Sequence, residues 1–226
     1  MPQEQPPEPR KRPRQQRSTM LVAAIQEACR QILEREGADN LTTARIAEVA
    51  GVNISSLYQY FPNKEAVLAD VYDEIIDTLL MQARERFEEL DRLSGQSLEL
   101  TLAAIVDMEI AQLRELNRLA PDFYHRYQHR FDIHARIDEL ACSLDNPSWE
   151  AWFSRFLGCH RHRLRPGDIE LRSLFVRKTL RANLRWAALE QPDLLGSGEF
   201  REELLSMLLA YLQYPQYPQQ GRQAAD

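Results

Sequence analysis

The chain has 226 residues, 44% hydrophobic and 27% charged, which is ample for a buried core and ordinary for a water-facing protein. No apolar run approaches the ~20 residues that span a bilayer. The N-terminus lacks a signal peptide's apolar stretch, and Cys29, Cys142 and Cys159 form no spaced framework, so a cytoplasmic protein without a membrane partner is expected. The net charge of −6 disfavours a polyanion partner only until it is divided. Residues 10–64 carry nine bases against five acids, and the acidic excess lies outside that segment.

Residues 1–13 hold five prolines and almost no apolar side chain, so residues 1–17 are expected to form an arm that is disordered without a partner. Its cluster Arg10-Lys11-Arg12-Pro13-Arg14 suits phosphates or a minor groove, or serves only as a solvated basic tail. A helix is predicted over 18–36, with Leu21, Ala24, Ile25, Ala28, Ile32 and Leu33 on one stripe and Gly37 as its stop. Cys29 lies beside that stripe, as a packing residue.

The stretch Leu41–Leu68, LTTARIAEVAGVNISSLYQYFPNKEAVL, is the most informative. Thr42 can cap a short helix with an apolar face of Ile46, Ala47, Val49 and Ala50. Gly51 makes the turn, Val52 fills the corner, and Asn53 caps a second helix from Ile54 to about Tyr60. Leu57 and Phe61 can anchor that helix. Ser55, Ser56, Tyr58, Gln59 and Tyr60 cover the rest of it with hydrogen-bonding groups, a surface suited to a DNA groove. Pro62 ends it, and Asn63-Lys64-Glu65 open a longer helix.

The spacing of Thr43, Ile46, Ala47, Ala50, Gly51, Val52, Leu57, Tyr58, Tyr60, Phe61, Lys64 and Leu68 resembles that of the tetracycline-repressor (TetR) family of bacterial transcription regulators. The resemblance covers about Thr19 to Tyr72. It implies an all-α protein with a three-helix helix-turn-helix DNA-binding head over 18–63, and a larger helical ligand-binding and dimerisation domain over 64–213. It also implies a homodimer, more a repressor than an activator, on a palindromic double-stranded DNA operator, and a small-molecule effector. Ser55, Ser56 and Gln59 are the candidates for base edges. Thr42, Thr43, Tyr58, Tyr60 and Lys64 complete the DNA-binding set, chiefly toward phosphates. Ala44 and Ile54 depart from some relatives at base-reading positions, which leaves the operator sequence open.

Beyond the head, helices are predicted over 64–93 and 97–117, then one or two within 120–144. The aromatic residues there and after Pro147 are either a packed core or the lining of a largely apolar ligand pocket, with Met108, Phe123, Tyr127, Trp152 and Phe156 as candidates. His125 and His129 stand at i,i+4, but neighbouring Arg126 and Arg130 would repel a cation, so no metal or other cofactor is assigned. No phosphate loop, nucleophile elbow or carboxylate pair supports an enzyme. The predicted helices 168–190 and 199–211 are apolar on more than one face, and Leu180, Leu184, Leu205 and Leu208 are assigned to a two-fold interface. Residues 214–226 read as a mobile tail. Two rivals are a DNA-binding protein of this fold controlled by a protein partner, and a metal-responsive or enzymatic protein using His125 and His129.

Overall fold

The computed structural model describes residues 5–13, 15–143 and 147–213, and the predicted tail 214–226 lies outside them. Ten α-helices and no strand occur among the described residues: α1 Gln16–Glu36, α2 Thr43–Val49, α3 Ile54–Tyr60, α4 Lys64–Ser94, α5 Leu98–Asn117, α6 Pro121–Tyr127, α7 Ile133–Ser143, α8 Trp149–Cys159, α9 Ile169–Glu190 and α10 Gly198–Gln213. The all-α expectation holds: a helix-turn-helix head is followed by a larger helical region. The chain divides into two compact units, residues 1–83 with 112–136, and residues 84–111 with 137–226.

In the first unit, α1 buries Val22, Ile25, Ala28, Cys29, Ile32 and Leu33, so its stripe is turned by one position from the predicted Leu21 and Ala24. Burial pushes the Cys29 thiol up to about 12, which keeps it protonated and inert. Gly37 takes φ +83 at the C-cap, and its N–H closes on the Ile32 carbonyl at 3.1 Å. Polar ties join α1 to α4: Gln26 Nε2 donates to Asp70 Oδ2 at 2.9 Å, and Arg30 pairs with Glu74.

Behind them Tyr72 is fully buried, its ring 5.5 Å from Phe123 and 5.2 Å from Phe131. Its hydroxyl accepts the Ala120 N–H at 3.2 Å and lies 3.1 Å from the Leu116 and 3.0 Å from the Ala120 carbonyls, either of which can take its proton. That satisfies a phenol which would otherwise be costly to bury.

Asp70 carries a testable consequence. Burial, then Glu74 and Asp73 on the same helix, raise its pKa from 3.8 to about 6. A carboxyl with a raised folded pKa lowers stability above that pKa, and the penalty disappears as pH falls through about 6 toward 3.8. Asp70→Asn keeps an acceptor for Gln26 and removes the charge. It should stabilise the protein by about 1 kcal/mol at pH 7, after discounting for partial exposure, and by nothing near pH 4. Urea unfolding at both pH values checks this, and a variant as pH-dependent as the parent would exclude the assignment.

In the second unit, Ser148 caps α8, accepting the Ala151 N–H at 3.2 Å. Trp149 and Trp152 stack at 5.0 Å, and Phe156 lies 5.9 Å from Trp152. The Trp152 indole N–H is satisfied by Asp91 Oδ1 at 2.8 Å. Asp168 caps α9, which buries Val176, Leu180, Leu184 and Ala187, while α10 buries Leu204, Leu208 and Leu212.

A surface that meets a second chain must be exposed in the single chain. Leu180, Leu184 and Leu208, assigned from sequence to a subunit interface, are buried within the chain itself, and Leu205 is half-buried. On α9 and α10 the large apolar residues left facing out are Leu171, Leu174, Phe175, Trp186, Leu189 and Met207. The reason is that α9 is apolar on two faces, and only tertiary packing decides which face the chain turns into its own core.

Candidate nucleic-acid interface

The head is built by caps and three anchors. Thr42 Oγ1 accepts the Arg45 N–H at 3.1 Å and starts α2, and Asn53 Oδ1 accepts the Ser55 N–H at 2.8 Å and starts α3. Between them Gly51 sits at φ +65, a left-handed conformation that costs an L side chain about 1 kcal/mol or more. Its N–H and that of Val52 close on the Glu48 and Ala47 carbonyls at 3.1 and 3.0 Å. Leu57 and Phe61 are fully buried, and Tyr60 is 8% exposed. The Arg45 guanidinium grips Glu36 through two bonds of 3.2 and 2.7 Å, tying α2 to the end of α1 and holding the Glu36 carboxyl below its ordinary pKa.

This leaves one face of α3 outward. Ser55, Tyr58 and Gln59 are exposed, and Ser56 is half-buried. Thr42 is exposed beside them, and Thr43 Oγ1 lies 2.9 Å from the Tyr58 hydroxyl, so these two predicted contacts form one hydrogen-bonded pair. Lys64 is half-buried at the start of α4, where Asn63 Oδ1 accepts the Ala66 N–H at 3.0 Å. Tyr60 differs from the rest: its ring is packed inward and covered by the Lys11 ammonium at 4.5 Å.

The arm brings a feature that sequence reasoning missed. The Arg10 N–H donates to the Tyr60 carbonyl at 2.7 Å, and its guanidinium donates to the Tyr58 carbonyl at 3.1 Å. These carbonyls belong to the last turn of α3 and have no partner within the helix. A helix stopped by Pro62 without a glycine cap, in a chain with a free basic cluster, was the available signal. Arg10 and Lys11 are thereby held beside the exposed face of α3.

The candidate effector residues divide between the two units. Phe123 and Tyr127, 4.9 Å apart, belong to the first unit with Tyr72 and Phe131. Met108, Trp152 and Phe156 belong to the second unit, each buried. There, a small recess is lined by Ile105, Glu109, Trp149 and Phe153 with Arg177 and Arg181. Arg177 bonds Glu150 at 2.5 Å. No cluster of three or more histidine, cysteine or acidic side chains is arranged for a metal ion among the described residues. No helix among them is long and apolar enough to cross a membrane.

Two short capped helices about a left-handed glycine, the second with a polar outward face and basic residues at its end, define a helix-turn-helix DNA-binding head. Residues 25–71, which span the end of α1 through the start of α4, match the model of the bacterial regulatory proteins, tetR family. The chain is 33% identical over 66 residues to the nucleoid occlusion factor SlmA of Vibrio cholerae, a match to 29% of this chain and 34% of that protein. It thus spans about a third of the length of that curated relative. Among solved structures, the superantigen PfiT matches with a TM-score of 0.52 at 19% identity, over 87% of this chain and 97% of that one, a likeness of fold alone. A TetR-family transcriptional regulator from Streptomyces coelicolor matches with a TM-score of 0.47 at 22% identity, over 84% and 96%.

Proposed function

We propose that the protein is a dimeric repressor that holds a palindromic operator and is released from it by a small, largely apolar or aromatic effector. The observation that carries the DNA half is the face of α3: Ser55, Tyr58 and Gln59 stand exposed on a helix anchored by Leu57 and Phe61. Ser55, Ser56 and Gln59 read base edges, and Thr42, Thr43, Tyr58, Lys64 and the arm's Arg10 and Lys11 engage phosphates. Tyr60 contributes through its backbone and ring support for the arm. The second chain docks on the outward apolar set of α9 and α10, since exposed rings such as Phe175 and Trp186 mark interaction surfaces.

The effector half rests on the ring clusters and on α4. That helix is continuous from Lys64, at the head, to Ser94. An effector that prefers one setting of α4 by ~1.4 kcal/mol would weaken DNA binding tenfold, within ordinary allosteric coupling. The likeness to a nucleoid occlusion factor supports a second reading, control through a protein partner in place of a small molecule.

Selection of genomic fragments by the purified protein, followed by sequencing, tests the DNA half. An enriched motif with two-fold symmetry is expected, and fragments recovered without any shared motif would refute it. For the effector half, titrations of a compound with and without operator must give affinities that differ by the same factor by which the compound weakens DNA binding. Equal affinities would reject that compound. Rejection across an apolar library would leave the protein-partner reading.

A further inference from the structure

Arg172, in the first turn of α9, is 4% exposed. Among the described residues its guanidinium has neither an ion-pair partner nor a hydrogen bond. Asp168, the acid whose charge favours Arg172, makes no ion pair with it, and its Oδ1 caps α9, accepting the Glu170 N–H at 2.8 Å and the Leu171 N–H at 3.5 Å. Burial first, and then Arg165 and Arg161, push the Arg172 pKa down, and Tyr211 and Asp168 offset this only in part.

Arg165 is half-buried and shares part of this deficit. Its Nε is buried without a partner, its guanidinium lies over the Tyr211 ring at 4.2 Å, and its amide N–H is fixed on the Leu212 carbonyl at 2.9 Å. The intervening loop is shaped around these groups. Gly167 sits at φ +145, and a Cβ there would overlap the Arg172 guanidinium. The backbone conformation at φ +145 favours glycine there, and the guanidinium tip lies against the space a Cβ would take.

A buried cation without a partner is strongly unfavourable, and adjacent guanidiniums repel each other. One oxyanion resolves both problems, because guanidinium donors match the geometry of carboxylate and phosphate oxygens. We propose that Arg165 and Arg172, framed by Gly167 and Tyr211, form a binding site for a small oxyanion, a carboxylate or phosphate group. The site stands on the loop before α9, on α9 and on α10, and involves none of the residues of the head. Because Tyr211 also stacks on exposed Phe175 at 5.8 Å, an anion held there adjoins the apolar face proposed for the second chain.

The test is thermal unfolding of the full chain in inorganic phosphate, and separately in acetate, against chloride at matched ionic strength. Wild type should show a saturable rise in Tm with at least one of them, roughly 3–6 °C at ten times Kd. Phosphate alone, or acetate alone, identifies which source of the oxyanion the site accepts. Arg172→Met should be no less stable than wild type in chloride, since it removes a buried charge without a partner, and should lose the rise entirely. Arg165→Gln, checked for a native circular dichroism spectrum, should weaken the anion at least tenfold. The proposal is overturned if wild type gives no saturable rise with either anion. It is equally overturned if Arg172→Met, or Arg165→Gln should Arg172→Met not fold, keeps the full response.

Discussion

Trp186→Glu is expected to give a folded monomer, whereas Leu184→Glu, two positions away, should not fold at all. Trp186 is 42% exposed in the single chain and Phe175, three turns earlier on the same face, is 53% exposed. A carboxylate at 186 meets water in the monomer but is buried without a partner if this face docks on a second chain. Sedimentation should show loss of the dimer with an unchanged helical spectrum. Operator affinity should fall by about 10²–10⁴, the usual gain from linking two half-site contacts. Leu184 is 2% exposed. A glutamate there loses the packing of a core leucine, about 2–5 kcal/mol, and adds a buried charge, enough to exhaust the stability of an ordinary domain. A Trp186→Glu variant that remains dimeric would move the interface elsewhere.

Replacing Gln59 and Lys64 should separate reading from holding. Gln59 is exposed on the outward face of α3, and a side-chain amide there can make a bidentate contact with adenine. Gln59→Ala should cost about 1–3 kcal/mol against the preferred operator and relax the preference at particular base pairs. Lys64 sits at the start of α4, off that face. Lys64→Ala should weaken all sequences about equally and lower the slope of log affinity against log salt by about 1. Binding-site selection together with salt titration distinguishes the two. An unchanged selection profile for Gln59→Ala would remove it from the base readers. An altered profile with an unchanged slope for Lys64→Ala would reverse its assignment.

The head was legible because its determinants are local. Thr42, Gly51, Asn53 and Asn63 each act on backbone within three residues, as caps or as a left-handed turn, so their identity and spacing carry the geometry. Leu57 and Phe61, one turn apart, are both buried, as that spacing requires. The division of the 120–144 stretch into α6 and α7 was open in sequence, and the structure places the break between Tyr127 and Ile133. Tyr60 shows where local reading ran out. Its neighbours on α3 face outward, but its own ring fills the head and carries the arm's Lys11.

The sequence by itself determined the all-helical class, the order of the helices and the caps of the head, because short-range spacing decides those features. Only the tertiary structure decided which apolar face of α9 the chain keeps for its own core, since both faces have helical periodicity and the choice depends on what packs against them. It also decided that the rings divide between Tyr72, Phe123 and Phe131 in one unit and Trp149, Trp152 and Phe156 in the other. And it alone brought Arg10 to the carbonyls ending α3, and Arg165 against Tyr211 near the buried Arg172. Apart from Arg165 and Arg172 themselves, those partners stand more than forty residues apart, beyond the reach of any local pattern.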